Sequence, residues 1–187
     1  MVGIHKDWWQ NHGFIEIREL CPGMVPEDMD EYCCAFIEGA EGSYGRDREK
    51  DRRFLERIRN ETPDNPNAYA GGPIYWAYRK CYGGAAILLA ALTVVFCHGF
   101  YYGISLFAFI PTFGSGALFN SFYQGKMIRE LKTILSSGVR SKADIMAKMR
   151  ERGGSNSRAA VIATIAWTII FVAVIVIELN LFPEHFD

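Results

Sequence analysis

The sequence has no Asp, Glu, Lys or Arg between Cys81 and Gly125, a run of 45 residues. A second run without these four residue types covers positions 159–177. A water-soluble domain in a chain of 187 residues rarely leaves such long stretches uncharged, so the composition excludes an ordinary globular enzyme. Hydrophobic residues make up 50% of the chain, which excludes a disordered or collagen-like protein.

Cysteine is also scarce and poorly placed for a structural role. The five cysteines are odd in number and form no CxxC motif, so they do not describe a disulfide framework. A zinc site could be built from His5, His12, Cys21 and Cys33 or Cys34. It is disfavoured because these residues lack the CxxC spacing that is typical of zinc-binding knuckles. We therefore predict no metal and no cofactor.

Motifs of enzymes and of cleavable leaders are absent from the sequence as well. It contains no nucleophile elbow, phosphate-binding loop, metalloprotease helix or paired-carboxylate motif, so we predict a protein without enzymatic activity. The first 20 residues carry charges throughout and lack the apolar core of a signal peptide. The first apolar segment, from about residue 82, is therefore expected to direct the chain to the membrane.

The uncharged runs have the length of membrane-spanning helices, because about 20 helical residues cross a hydrocarbon core of about 30 Å. We predict spans at Tyr82–Phe100, Gly103–Tyr123 and Ala159–Leu181. The predicted fold is an all-α membrane protein with three transmembrane helices. Its predicted segments are a small cytoplasmic N-terminal region (1–61), a linker (62–73), an interfacial helix with a transmembrane hairpin (74–125), a basic amphipathic cytoplasmic loop (126–158), the third span (159–181) and an outside tail (182–187).

The distribution of Lys and Arg predicts the orientation of these spans. Arg79 and Lys80 precede the first span, and nine basic residues lie between the second and the third, in 126–158. The turn at 98–103 and the chain after 181 contain no Lys or Arg. Positive residues accumulate on the cytoplasmic side, so three spans place the N-terminus in the cytoplasm and the C-terminus outside the inner membrane.

The basic loop combines two apolar stripes with positive charge. The first stripe is Met127, Ile128, Leu131, Ile134 and Leu135, and the second is Ile145, Met146 and Met149, each at helical spacing. We predict that this loop lies along the inner leaflet, where anionic headgroups attract basic side chains. The candidate residues for contact with lipid headgroups or a partner are Lys126, Arg129, Lys132, Arg140, Lys142, Lys148, Arg150 and Arg152. Positive-inside bias accounts for these charges, so we predict no nucleic-acid partner.

Other local patterns predict single features. Arg46–Asn60 is predicted to be an amphipathic helix with Phe54, Leu55 and Ile58 on one face. Tyr75, Trp76, Tyr78 and Tyr82 are expected to anchor an interfacial helix, and Trp167 is expected to pack against the first or second span. Pro111 in the second span is either the kink of a packed helix or the break of a substrate pathway; the kink is the commoner of the two.

Three elements of the second half resemble a known family. They are the aromatic segment 75–82 (YWAYRKCY), the element 120–123 (NSFY) followed by Ile128, and 153–155 (GGS) before the last span. In this order they resemble the bacterial membrane-protein family of unknown function numbered 2628, over roughly residues 69–180. The resemblance implies a bacterial inner-membrane location and no assigned activity. The segment before the first span is less apolar here than is usual in that family.

Two functions are compatible with these sequence features. We expect a non-catalytic component that binds a membrane-protein partner, or a second copy of itself, or that organises a membrane assembly. The alternative is a subunit of a small oligomeric channel or transporter. No charged residue occupies the predicted middle of a span, which argues against a proton relay.

Overall fold

The computed structural model describes residues 14–39, 48–59, 65–101 and 109–181. All regular secondary structure in these ranges is helical, which confirms the predicted all-α class. The helices are α1 (Phe14–Leu20), α2 (Pro26–Glu38), α3 (Arg48–Arg59), α4 (Pro66–Tyr78), α5 (Tyr82–Tyr101), α6 (Phe109–Ser136), α7 (Lys142–Arg152) and α8 (Ser157–Leu181).

The chain folds as two compact units. The first, which we call the charged unit, comprises Met1–Thr62 and Asn120–Ser155. The second, the apolar unit, comprises Pro63–Phe119 and Asn156–Asp187. This division differs from the predicted segments, because the N-terminal region and most of the basic loop belong to one unit. The difference arises from contacts between segments that are far apart in the sequence.

The core of the charged unit is formed by aromatic and aliphatic side chains of α2, α3, α6 and α7. Phe36 and Tyr123 are fully buried, with ring centroids 5.7 Å apart. Phe54 packs on the same Tyr123 ring at 5.8 Å, and Leu55 and Ile58 beside it are buried. The predicted amphipathic helix at 46–60 is therefore confirmed as α3, with the predicted face buried. Each such side chain contributes about 1.5–3 kcal/mol by leaving water.

Helices α2 and α7 of the charged unit run parallel to each other. The first turns are joined by Lys142 and Asp28, and the last turns by Arg150 and Glu38. Gly153 ends α7, and the amide of Gly154 donates a hydrogen bond to the Phe36 carbonyl at 2.6 Å. A Cβ atom on Gly153 would overlap the backbone of Phe36, so only glycine permits this approach.

In the apolar unit, α4, α5 and α8 pack against one another, and α5 and α8 run in the same direction. Near their N-termini, the amide nitrogen of the Asn156 side chain donates to the Tyr82 hydroxyl at 2.9 Å. Farther along, the Phe96 ring lies 5.5 Å from Trp167 and 5.6 Å from Phe171. The prediction that Trp167 packs against the first or second predicted span is confirmed for the first, the segment that forms α5.

Among the described residues, one helix is long and apolar enough to cross a membrane, and it is α8, within the stretch Lys142–Ile177. The described side chains of α5, Tyr82–Cys97, form a shorter apolar helix. The second predicted span begins outside the described residues, since 102–108 are not among them. The described part of the chain thus contains one candidate span where the sequence predicts three.

Helix α4 begins earlier than the sequence indicates. The segment 62–73 is predicted to be a linker, but the helix starts at Pro66, where the Asn65 side chain accepts a hydrogen bond from the amide of Ala68 at 3.2 Å. Asn followed by Pro is a strong helix start, and it outweighs the glycines that follow. The helix is broken at Gly72, whose φ of 44° and ψ of −131° suit only glycine. Pro73 then opens the second half.

The last two helices begin in different ways. Ser141 precedes α7 and makes no side-chain cap. Asn156 caps α8 by accepting a hydrogen bond from the amide of Ala159 at 3.0 Å. Asn is among the best capping residues.

Candidate functional site

All eight predicted basic contact residues lie in the charged unit, on α6, on α7 and in the connection between them. Half-exposed carboxylates within the chain neutralise three of them. Lys142 contacts Asp28 at 2.7 Å and Glu31 at 2.9 Å. The other two pairs are Arg150 with Glu38 at 3.0 Å and Arg152 with Glu130 at 2.8 Å. Lys142, Arg150 and Arg152 are therefore already paired with carboxylates of the protein itself.

Lys142 and Asp28 form an ion pair in the charged unit that shifts the pKa of both groups. The hydrogen bond from Lys142 lowers the pKa of the Asp28 carboxyl below its ordinary value. The same hydrogen bond, with a second one to Glu31, raises the pKa of the Lys142 ammonium. Both groups therefore stay ionised across the physiological pH range.

The remaining basic residues differ in how far they are available. Lys126 lies 5.5 Å from the centre of the Phe36 ring, and Arg140 donates to the Leu135 carbonyl at 3.0 Å, at the end of α6. Lys132 is half-buried. Arg129 is exposed and Lys148 is half-buried, and neither makes an ion pair with another described residue. Arg129 and Lys148 are thus the best placed of the eight to contact an external anion.

The apolar stripes of the basic loop lie inside the protein. Met127, Leu131, Ile134 and Leu135 are at most 1% exposed, and so are Ile145 and Met149. Ile128 and Met146 are partly buried. The prediction that these stripes rest on the inner leaflet is therefore wrong. The stripes are amphipathic in the predicted way, but they are buried within the charged unit.

A second candidate region is the junction between α4 and α5 in the apolar unit. The guanidinium of Arg79 is buried, at 5% exposure, and lies 5.9 Å from the Tyr75 ring and 5.8 Å from the Tyr78 ring. Its Nε donates to the Tyr75 hydroxyl at 3.4 Å. Cation–π contacts of this kind stabilise a buried arginine by about 1–2 kcal/mol. The charge is therefore held by aromatic groups of its own helix.

Asn156 connects this junction to α8. Its amide donates to the Tyr78 carbonyl at 2.7 Å, its side chain donates to Tyr82, and its side-chain oxygen caps α8. One residue therefore fixes the start of α8 at the level of the α4–α5 turn. Sequence reasoning missed Asn156, although Asn before a helical apolar run is a recognised start signal.

The predicted aromatic anchors have different environments. Trp76 is 2% exposed, with its ring against Gly84, so its ring packs inside the unit. Tyr82 is 51% exposed and remains available at the start of α5. Tyr75 and Tyr78 are partly buried and hold Arg79.

The cysteines show no sign of a shared chemical role. All five are free thiols, and burial raises the pKa of the Cys33 thiol. Among the described residues, no group of three or more His, Cys, Asp and Glu side chains is arranged to hold a metal ion. His5 and His12 of the disfavoured zinc site lie outside the described residues.

Comparisons of the chain with protein-family models, curated proteins and solved structures find no match. The resemblance to the family numbered 2628 stays a prediction.

Proposed function

We propose that the protein is a three-span bacterial inner-membrane protein with a cytoplasmic N-terminus, and that its charged unit has a non-catalytic role in binding a partner or organising a membrane assembly. The parallel direction of α5 and α8 carries this proposal. Two parallel helices that both cross a membrane start on the same side, so the chain between them must cross once more. The uncharged segment 103–123, which continues into α6, has the length for this return.

Charge supports the same arrangement. Arg79 and Lys80 precede α5 and Arg158 lies in the first turn of α8, while Asn156 and Tyr82 are hydrogen-bonded between these ends. The positive residues therefore lie at one end of the helix pair, as the positive-inside rule requires of a cytoplasmic end.

The surface of the apolar unit supports a lipid environment. Ile87, Ile162 and Ile169 are each more than 60% exposed, and the outer faces of α5 and α8 are apolar along their length. Exposed apolar patches of this extent are unfavourable in water and are expected where hydrocarbon covers them.

Topology can be tested by labelling intact cells with a membrane-impermeant thiol reagent. In a variant that retains only Cys34, the thiol should stay unlabelled until the cells are lysed. In a variant that carries only His185→Cys, labelling should occur in intact cells. Labelling of Cys34 in intact cells would contradict the three-span arrangement.

Partner binding can be tested by purifying the full chain in a mild detergent and identifying what accompanies it. Binding through the two available cations predicts that Arg129→Ala with Lys148→Ala weakens the association and makes it less sensitive to salt than in the parent protein. Arg18→Ala, an exposed cation on α1, is the matched control. Binding of the purified protein to vesicles of anionic lipid would identify a lipid headgroup as the anion. Association with a co-purified protein, without binding to these vesicles, would identify a protein.

The second candidate, a subunit of a small oligomeric channel or transporter, is favoured by the break in α4. Discontinuous helices occur at substrate sites in transporters. A measurable flux through reconstituted vesicles that is lost in Pro111→Ala, with expression unchanged, would favour this function over the first.

A further inference from the structure

The three basic residues of the apolar unit gather where α4 ends and α8 begins. Arg79 and Lys80 follow α4, and Arg158 lies in the first turn of α8. The amide of Asn156 donates a hydrogen bond to the Tyr78 carbonyl at 2.7 Å. Lys80 and Arg158 are each two residues from this hydrogen bond, which is a reach of about 7 Å of chain. The two cations therefore belong to one region of the unit.

The sequence of the apolar unit contains no carboxylate near these cations. Residues 65–119 and 156–177 include no Asp or Glu. Asp64 precedes α4, whereas Lys80 follows it, and Glu178 is about 30 Å beyond Arg158 along α8. In the charged unit, by contrast, carboxylates of the same unit pair with three cations. The start of α8 thus lacks a counter-charge from the helices of its own unit.

The three cations differ in the direction of their charge. Arg79 is 5% exposed and its Nε donates to the Tyr75 hydroxyl, so its charge is turned inward. Arg158 is exposed and makes no ion pair with another described residue. A cation in the first turn of a helix is also repelled by the positive end of the helix dipole. An external anion beside Arg158 would offset this repulsion.

Lys80 occupies a position that glycine usually fills. The amide of Cys81 donates to the Trp76 carbonyl at 2.8 Å and that of Lys80 to the Ala77 carbonyl at 3.0 Å, which is the pattern of a Schellman motif. Lys80 has a φ of 60°, and it is the one described residue other than glycine with a positive φ. This conformation is unfavourable for Lys but not for Gly. The Lys side chain is therefore expected to make a favourable interaction that glycine could not make.

These cations lie where the apolar outer faces of α5 and α8 begin. Ile87 and Ile162 are each more than 60% exposed, and they follow Tyr82 and Arg158 by five and four residues. When such faces lie in hydrocarbon, their polar ends lie among the lipid headgroups, where Tyr side chains are frequent and phosphate groups carry negative charge. Tyr82 is 51% exposed at this level. Phosphate is thus the anion that a membrane would bring to this end of the unit.

We propose that Lys80 and Arg158, which we call the basic rim, bind the phosphate groups of anionic phospholipids at the cytoplasmic surface of the membrane. The lipid supplies the negative charge that this end of the apolar unit lacks. The inference rests on the proposed membrane function and adds the class of lipid and the residues that bind it. It differs from the sequence-based prediction, which places the headgroup contacts in the basic loop.

Titration of the full chain with a short-chain phosphatidylglycerol tests the proposal. The protein is kept in a neutral detergent at low salt, and the thermal midpoint is followed as phosphatidylglycerol, or phosphatidylcholine of the same chain length, is added. The rim variant is Lys80→Asn with Arg158→Gln, because Asn tolerates the left-handed conformation and both changes remove charge. Arg18→Gln, an exposed cation of the charged unit, is the matched control. The thermal midpoints without lipid establish that the variants fold.

The parent protein should bind phosphatidylglycerol more tightly than phosphatidylcholine. The rim variant should lose about fivefold in affinity for each cation removed, or about 25-fold in all, while Arg18→Gln should bind as the parent does. The preference should weaken as salt is added, because ions screen exposed charges. Equal affinity in the parent and the rim variant would overturn the proposal. A loss confined to Arg129→Gln with Lys148→Gln would also overturn it, since the contact would then belong to the charged unit.

Two further measurements identify the source of the anion and separate this inference from the membrane function. If inorganic phosphate raises the thermal midpoint as phosphatidylglycerol does, with the same dependence on the basic rim, the rim binds a free anion and the lipid assignment is overturned. Flotation of the full chain with vesicles of phosphatidylcholine alone tests the membrane function. If the chain floats but the parent and the rim variant bind phosphatidylglycerol equally, only the inference fails. If the chain floats with neither neutral nor anionic vesicles, both proposals fail.

Discussion

The charged unit and the apolar unit are both made of packed helices with largely apolar interiors, but they expose opposite kinds of side chain. In the charged unit Phe36 and Leu131 are enclosed and the ion pairs lie outside. In the apolar unit Ile87 and Ile169 face outward, while polar Ser115 is 1% exposed. Of the large apolar side chains found exposed among the described residues, only Val25 and Phe122 belong to the charged unit.

The proposed membrane location of the apolar unit accounts for this difference. A helix in water gains free energy by turning its apolar stripe inward, so its surface is charged. Between helices in hydrocarbon the hydrophobic effect is absent, so apolar side chains can face outward and the few polar groups turn inward to find partners. The two units follow these two rules within one chain.

Close helix packing is achieved by glycine in both units, but against different neighbours. Gly153 admits the backbone of Phe36 in the charged unit. Gly84 and Gly116 admit the aromatic rings of Trp76 and Tyr69 in the apolar unit. The first contact fixes two helix ends, and the second fixes the sides of a broken helix.

The largest expected effect is the loss of the charged core. Phe36→Ala removes a fully buried ring that contacts Tyr123, and such changes cost about 3–5 kcal/mol. Buried Cys33 reports the opening of this unit, so its labelling in detergent should be faster by about two to four orders of magnitude. Exposed Cys97 is the internal control. Because Cys97 is already exposed, an equal acceleration there would mean that access of the reagent, and not the opening of the charged unit, had changed.

A charge on the outer face of α8 should have the next largest effect. Ile169→Arg places it at the centre of the proposed span, at a cost of about 2.5–3.5 kcal/mol on insertion scales. Val161→Arg, near Arg158, is the matched control because its side chain reaches the interface. The membrane-bound fraction after an alkaline wash should fall only for Ile169→Arg. Equal retention of both variants would argue against hydrocarbon around α8.

Glycine substitutions should change the stability of the charged unit moderately, and the direction of the change should depend on the space around each glycine. Gly153→Ala forces a methyl group against the Phe36 backbone and should destabilise the charged unit by about 1–3 kcal/mol. Gly125→Ala has open space in the middle of α6 and should stabilise the unit by up to about 1 kcal/mol. Cys33 labelling should therefore be faster in the first variant and slower in the second. The same sign in both would contradict the close approach at Gly153.

The smallest effect concerns the ion pair of Asp28 and Lys142. The pKa of Asp28 is lowered in the folded protein, so its stabilisation is present above its unfolded pKa and is lost as the pH falls through the folded one. The raised pKa of Lys142 adds stability that is lost only as the pH rises through that value. The thermal midpoint of the detergent-solubilised protein should therefore fall more between about pH 6 and pH 3 than in Asp28→Asn. Identical pH profiles would show that this exposed pair contributes nothing.

Local patterns in the sequence predicted many elements because each depends on neighbouring residues. The helix around Leu55 and Ile58, the end of α7 at Gly153 and the amphipathic stripes of the basic loop all follow from helical periodicity or chain flexibility. Neighbouring residues do not determine which part of the chain covers an apolar stripe of the basic loop. Asp28 and Lys142 are 114 residues apart, and no pattern near either residue indicates the other.

The sequence by itself determined the all-α class, the positions of the uncharged runs and the amphipathic character of the basic loop, since composition and periodicity control these features directly. Only the tertiary structure decided that the loop stripes are buried in the charged unit, that α5 and α8 are parallel, and that α4 packs beside them with its break covered. These outcomes depend on which distant surfaces match in shape, charge and hydrogen bonding. A close contact such as Gly153 on Phe36 exists only after both segments have folded.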